Sequence, residues 1–331
     1  MNKGKNSKKG FLMLLALALL CSNVVTTKLA GANPIPAPPI TQIYIRSDGT
    51  VDPSTTPIQR TENVYTLKSD LTNSTIEIQK DNVMLDGKGF TLLGNGEGWN
   101  TGITLASIHN VIIKNMEVRN FWKSIVVIAS SNVIILNNRM LTSWNIILDS
   151  SISNQIIGND MVGQYTGYGY CIQVQNGSFN NLIVGNNLSY AGAAVWMGNG
   201  KNNTFYHNNF INNSNNVVVG EGGNLWDNGK EGNFWNDYNV IDADSNGIGD
   251  IPYVVFKSCQ DKDRYPLRSP FDIDNETVEL PDWANAALVR PDFVPFPTLP
   301  VVAISGALAA FVITSGLLVY RRKRKSEAIK S

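Results

Sequence analysis

Histidine and cysteine are scarce in this chain of 331 residues. His109 and His207 are the only imidazoles, and the three cysteines are Cys21, Cys171 and Cys259. Two distant histidines with no cluster of Met or Cys beside them leave nothing from which a copper site could be assembled. Net charge is missing too, with 27 basic residues against 27 acidic ones and no basic patch away from the chain ends. The electrostatic footprint of a nucleic-acid-binding protein is therefore lacking. Cys21 belongs to an N-terminal apolar segment. An oxidising compartment would let Cys171 and Cys259 pair, but nothing in the sequence brings them together.

What is present is a period. Asn110-Val-Ile-Ile-Lys-Asn115, Asn132-Val-Ile-Ile-Leu-Asn137 and Asn154-Gln-Ile-Ile-Gly-Asn159 begin 22 residues apart, and the unit returns as Asn181-Leu-Ile-Val-Gly-Asn186 and Asn203-Thr-Phe-Tyr-His-Asn208. A fixed period marks one supersecondary unit stacked on copies of itself. The unit is too short, and too rich in Val, Ile and Asn, for paired helices, whereas short apolar runs punctuated by turns suit strands. Stacked turns of parallel strand would place each repeated position in a column, with strands about 4.8 Å apart. The two Asn positions then form ladders: Asn tolerates left-handed backbone at a bend and bonds to the same amide one turn on.

The ends indicate where the chain works. Lys3, Lys5, Lys8 and Lys9 precede an apolar run from Gly10 to Cys21, and a polar stretch closes in Ala30-Gly-Ala32. This is the three-part form of a secretory signal, residues 1–32. Near the C-terminus, residues 299–320 carry no charge and would span about 33 Å as a helix, enough to cross a bilayer. The basic run Arg321-Arg-Lys-Arg-Lys325 opens a cytoplasmic tail over 321–331, so the rest of the chain faces outward. Between these ends we expect a linker and N-terminal cap over 33–71, repeats over 72–223, a C-terminal cap over 224–275 and a proline-rich stalk over 276–298. Six Asn-x-Ser/Thr sequons, at Asn73, Asn176, Asn187, Asn202, Asn212 and Asn275, suit an outer surface.

Three features carry candidate chemistry. In the second cap Asp242, Asp244 and Asn246 are spaced by two, Gly247 follows, and Asp250 stands at the ninth position, with Ile248 offering a backbone carbonyl. This matches the first half of a calcium loop without the bidentate Glu at position twelve, and Asp237 or Asp263 could complete the shell. The other reading is an Asx-rich turn, and in either case the role is structural. Second, Trp122 and Trp144 share offset 12 from the first Asn, and Tyr165, Tyr168 and Tyr170 fall in the extra residues of the longest repeat. Such a strip could be a platform for a sugar chain, since pyranose faces pack on rings while amides bond to hydroxyls; alternatively the rings fill the core. Third, Glu117 and Arg139 share offset 7 and should pair between adjacent strands. Asp149 at offset 17 and Asp160 at offset 6 fall in other columns, so no acidic column repeats and no catalytic residue is assigned.

The pattern resembles the right-handed parallel β-helix repeats of the NosD-like and carbohydrate-binding/sugar-hydrolase families over about Asn63 to Asp272. It includes Asn82-Val-Met-Leu-Asp-Gly-Lys-Gly-Phe90, which looks like a first full turn, and Gly232-Asn-Phe-Trp-Asn-Asp-Tyr238, Asp250-Ile-Pro-Tyr253 and Asp263-Arg-Tyr-Pro-Leu267, which look like a segment of archaeal surface β-helix proteins. The resemblance implies an all-β, right-handed parallel β-helix. It leaves activity open, since these families include lyases, hydrolases, epimerases, copper-chaperone-like proteins and members without an assigned role. The function expected from the sequence is an anchored surface protein that presents a glycan or envelope-protein partner with a rigid face. A polysaccharide lyase or hydrolase and a purely structural envelope component are the alternatives. The anchor is open to a direct test. Full-length chain should sediment with membranes and a chain ending at Phe293 should not; retention of both would remove the C-terminal anchor.

Overall fold

The computed structural model describes residues 39–163, 169–239, 241–256 and 261–275. Each turn contributes three short strands. In one turn these are Val111–Lys114, Glu117–Arg119 and Lys123–Ile128; the next turn repeats them as Ile134–Leu136, Arg139–Thr142 and Trp144–Asp149. Stacking yields three sheets, called here sheet 2, sheet 3 and sheet 1 in the order the turn visits them. Eight turns, from Thr41–Ile45 to Val217–Val219, supply the parallel strands of sheet 1. The parallel solenoid runs past both expected boundaries: Thr41–Ile45 already pairs with Ser74–Ile78, and Phe234–Trp235 still pairs with Asn209–Ile211. Antiparallel additions occur at the two ends, Ile58–Thr61 on Val64–Leu67 and Tyr253–Phe256 on Asp261–Asp263.

The repeated apolar residues form the interior columns. Ile43, Ile76, Ile103, Ile125, Ile146, Ile172 and Val195 succeed one another in register in sheet 1, each at most 1% exposed. Branched side chains pack well on a pleated surface, and full burial of each contributes about 1.5–3 kcal/mol. Stacked rings fill the C-terminal end: Phe205 on Trp226 at 4.4 Å, Phe210 on Trp235 at 4.1 Å, and Trp235 on Tyr253 at 4.1 Å.

The 22-residue count slips at one corner. Glu117 pairs with Arg139 after 22 residues, but Lys123 pairs with Trp144 after 21, so a residue is dropped between sheets 3 and 1. Asn154 therefore aligns with Val133 rather than Asn132, and Asn159 with Asn138 rather than Asn137. This corrects the expectation that one Asn both bends the chain and links turns. The left-handed bends are made at Asn110, Asn132, Ser153, Asn180 and Asn202, and at Asn115, Asn137, Gly158, Gly185 and His207. The buried ladders run through their neighbours: Asn138, Asn159, Asn186, Asn208 and Asn233 in one, Asn154, Asn181, Asn203 and Asn224 in the other. Some of the bends also link side chains between turns, Asn110 to Asn82, Asn132 to Asn110, Asn115 to Asp86 and His207 to Glu231.

Both buried ladders end on carboxylates of one strand. Asp263 accepts from the Asn233 N–H at 2.7 Å, the Trp235 indole at 2.8 Å and the Tyr265 N–H at 3.0 Å, while Asp261 accepts from Gly223, Asn224 and the Trp226 indole. Gly232 permits this approach, since a Cβ there would overlap the Asp263 carboxylate. Of Asp237 and Asp263, the two carboxylates expected to complete a calcium shell, Asp263 is thus committed to closing a ladder. Among the described residues no helix is long and apolar enough to cross a membrane. Both chain ends, with residues 1–32 and 299–320, and Cys259 lie outside the described residues. Cys171 is a buried free thiol, pushed by burial up to about 12.

Burial raises the Asp263 carboxyl to about 6, outweighing the three donors that favour its charge. A folded value above the unfolded one means that the folded state holds the proton longer. The group's contribution to stability is full below about pH 4 and is lost as pH rises through about 6. Compared with Asp263→Asn, which does not titrate, wild type should lose up to about 3 kcal/mol between those limits. Urea melts of both chains at pH 4, 5, 6 and 7 measure this; a difference that stays constant with pH would contradict it.

Candidate ligand-binding face

Five aromatic rings follow one another along the start of sheet 1. Centroid distances are 4.4 Å from Trp99 to Trp122, 6.0 Å to Trp144, 5.6 Å to Tyr170 and 6.1 Å to Trp196. Trp99 is 73% exposed and the other four are half-buried, so the strip is a surface feature and lies outside the core cluster. Strand spacing sets the interval, because each ring comes from a successive turn. Trp122 and Trp144 do not share a column as counted, since Trp144 is in register with Lys123; their rings meet because Trp122 directly precedes that strand. Tyr170 is in register with Trp144. Tyr165 and Tyr168 lie outside the described residues, but the chain returns from them at Gly169, with a φ of 97° and no room for a Cβ against the Ser143 carbonyl. Trp99 and Trp196 were not legible in the repeat count, because Trp99 stands two residues before its strand and Trp196 is in register with Gln173.

Polar groups border the strip. The Lys123 ammonium sits 5.6 Å from the centre of the Trp144 ring, a cation–π contact. On the same sheet Asp149 accepts from Gln175 Nε2 at 2.7 Å, Asn176 Nδ2 at 2.8 Å and Ser150 Oγ at 3.0 Å, and Gln173 donates to Gln175 Oε1. Burial pushes the Asp149 carboxyl up, and the hydrogen bonds from Asn176, Gln175 and Ser150 outweigh it and hold the group below its ordinary value. The amide of Asn176, a sequon residue, is thereby engaged.

The outward side of sheet 3 holds a second polar row. Thr91, Glu117, Arg139, Asp160, Asn187 and Asn209 share one column. Arg139 lies 3.7 Å from Glu117 and 3.4 Å from Asp160, and Arg119 also pairs with Glu117. The Glu117–Arg139 pair is as expected. Asp160 joins them because of the 21-residue turn, which corrects its assignment to a separate column. Burial pushes the Asp160 carboxyl up despite Arg139 and Asn187.

In the cap, Asp242 accepts from the Asn246 and Gly247 N–H groups and from Arg268, Asp244 accepts from Asn246, Asn246 Oδ1 from Ile248, and Asp250 from Ala243. Asp237 faces Tyr253 and Asn216 instead. Among the described residues no group of three or more His, Cys, Asp or Glu is placed to hold a metal ion. The loop is an array of Asx turns in which the carboxylates accept main-chain amides of their own segment.

The sequence model of the family described as periplasmic copper-binding protein (NosD) matches residues 43–240. The chain belongs to the NosD family. The two histidines are not brought together. His109 bonds to Ser131 at 2.7 Å, while His207, several turns away, bonds to Glu231 at 2.8 Å and stacks on Phe271. Among solved structures, the crystal structure of the periplasmic alginate epimerase AlgG is similar, with a TM-score of 0.38 and 20% identity over 45% of this chain and 35% of that one. The chain thus spans about a third of that protein's length. No curated protein matches this NosD-family chain.

The Asx array predicts no saturable heat from calcium below about 1 mM, and a lower melting temperature for Asp242→Ala even with a chelator present, since Arg268 and two amides lose their acceptor. Calorimetric titration of the full chain tests this; saturable heat that Asp242→Ala abolishes would establish a calcium loop.

Proposed function

We propose that this NosD-family protein is an exported, membrane-anchored β-helix that displays a glycan-binding face, and that it acts without turnover. The observation that supports the reading most is the aromatic strip of Trp99, Trp122, Trp144, Tyr170 and Trp196. A row of half-buried rings at strand spacing offers apolar faces to successive pyranose units, while Asp149, Gln173 and Gln175 provide hydrogen-bonding groups beside it. A rigid solenoid holds the rings in place before binding, which limits the ordering cost of association. Anchoring by residues 299–320, followed by the basic tail, would leave this face outside the cell.

A second reading, a polysaccharide lyase or hydrolase, has the sheet 3 column in its favour. There Asp160, pushed up by burial, stands across Arg139 from Glu117. Arg139 pairs with both carboxylates, which favours a structural ion-pair ladder over an acid and base free to work. Full-length protein in detergent micelles should retain particular glycans on an array, and Trp122→Ala with Trp144→Ala should lose at least tenfold in affinity. New reducing or unsaturated ends on a retained polysaccharide would favour the enzyme. A folded protein that retains no glycan would leave a structural envelope component.

A further inference from the structure

Along the strip two buried polar atoms have no hydrogen-bond partner among the described residues: the indole N–H of Trp122 and the amide oxygen of Gln173. Gln173 stands on the strand Tyr170–Gln175, opposite Trp196 on the next strand, and is 8% exposed. Burying a polar atom without a partner costs about 1–3 kcal/mol, and folded proteins tolerate few such atoms. Here one is a donor and the other an acceptor, and both adjoin the same row of rings.

The orientation of the Gln173 amide follows from Asp149. An ionised carboxylate can only accept, so Gln175 must turn its Nε2 toward Asp149, which it does at 2.7 Å. Its Oε1 then faces Gln173, whose Nε2 donates to it. Gln173 Oε1 is left as the free end of the chain. Each donation toward the charge makes the next amide oxygen a stronger acceptor. The relay thus carries the charge of Asp149, through two amides, to an acceptor beside Trp196.

We infer that Gln173 is the specificity-determining acceptor of this face, and that the ligand is an oligosaccharide bringing a hydroxyl or amino donor, not a carboxylate, to the Tyr170–Trp196 end. This rests on the glycan-binding reading. A polarised acceptor gains from a donor and repels an anion, and the nearest fixed charge in the relay is the carboxylate of Asp149. Lys123 is the cation of the strip, and it stands at the Trp144 ring, one turn away. Trp122 and Gln173 lie two turns apart, roughly 10 Å along the solenoid axis, and are further offset along the strands, a separation longer than one pyranose ring. A chain of sugars can satisfy both with its hydroxyls; a monosaccharide cannot.

The test uses full-length protein in detergent micelles on an array of neutral, amino and uronic oligosaccharides, with titration of the best member of each class. Neutral or amino oligomers should bind at least tenfold tighter than uronic ones. Gln173→Met should lose about tenfold on them with an unchanged thermal melt. Asp149→Asn keeps Gln173 but removes the charge behind it, and should narrow the preference against uronic oligomers at least threefold; a merely structural Asp149 would leave that ratio fixed. If uronic oligomers bind as well as neutral ones, or Gln173→Met binds like wild type while Trp144→Ala does not, the relay is wrong and the aromatic platform stands. If no class binds, or Trp144→Ala binds like wild type, the glycan-binding reading itself fails.

Discussion

A buried asparagine amide has to be satisfied on every side, and in this protein that requirement fixes the register of the solenoid. Asn186 shows the arrangement. Its Oδ1 accepts from both the backbone and the side-chain amide of Asn159, while its Nδ2 donates to Ile156, to Val184 and to the Oδ1 of Asn208. A turn displaced by one residue would leave several such groups buried and unpaired, at about 1–3 kcal/mol each. Apolar columns alone are more forgiving, because one Ile slides past another at modest cost. The ladders therefore supply positional specificity, and the isoleucines supply most of the burial.

The ladders also have a direction. Each ladder Asn receives on its Oδ1 the main-chain and side-chain N–H of the member one turn before it, so the main-chain N–H groups of the last members, Asn224 and Asn233, have no further Asn oxygen to receive them. A solenoid of this kind needs an acceptor at that end, and two carboxylates in the strand Asp261–Asp263 meet the need. Sealing them beneath Trp226 and Trp235 raises the Asp263 carboxyl, the electrostatic cost of closure. Within the cap Asp261 and Asp263 close the ladders, while Asp242, Asp244 and Asp250 accept main-chain amides of their own loop.

The repeat made the fold legible, since period, apolar runs and Asn content all pointed to stacked parallel strands. The dropped residue between Thr142 and Trp144 was not legible, because Asn154 happens to stand 22 residues after Asn132 and mimics an unbroken count. That coincidence hid three things at once: the separation of bend Asn from ladder Asn, the presence of Asp160 beside Arg139, and the true partner of Trp144. Trp122, Trp144 and Tyr170 were found despite the slip, since a ring reaches across one residue of register where a carboxylate or an amide does not. Trp99 and Trp196 escaped because they approach the strip from outside its column. Gln173 escaped because its significance depends on a partner it lacks, which only side-chain geometry reveals.

The same constraint that fixes the interior determines what the outer face can do. With register locked by the inward amides, outward positions become columns whose spacing is that of the strands, and they cannot drift to suit a ligand. Such a face recognises by matching a repeat, so an extended polymer fits it better than a compact molecule. Discrimination must then come from departures from the repeat. The strip has two such departures: Lys123 stands in the column of Trp144 and Tyr170, and Gln173, Gln175 and Asp149 replace the apolar pair Val126 and Ile128 of an earlier turn. The regular part of the face sets which shape of molecule can lie along it, and the irregular part sets which chemistry it must carry.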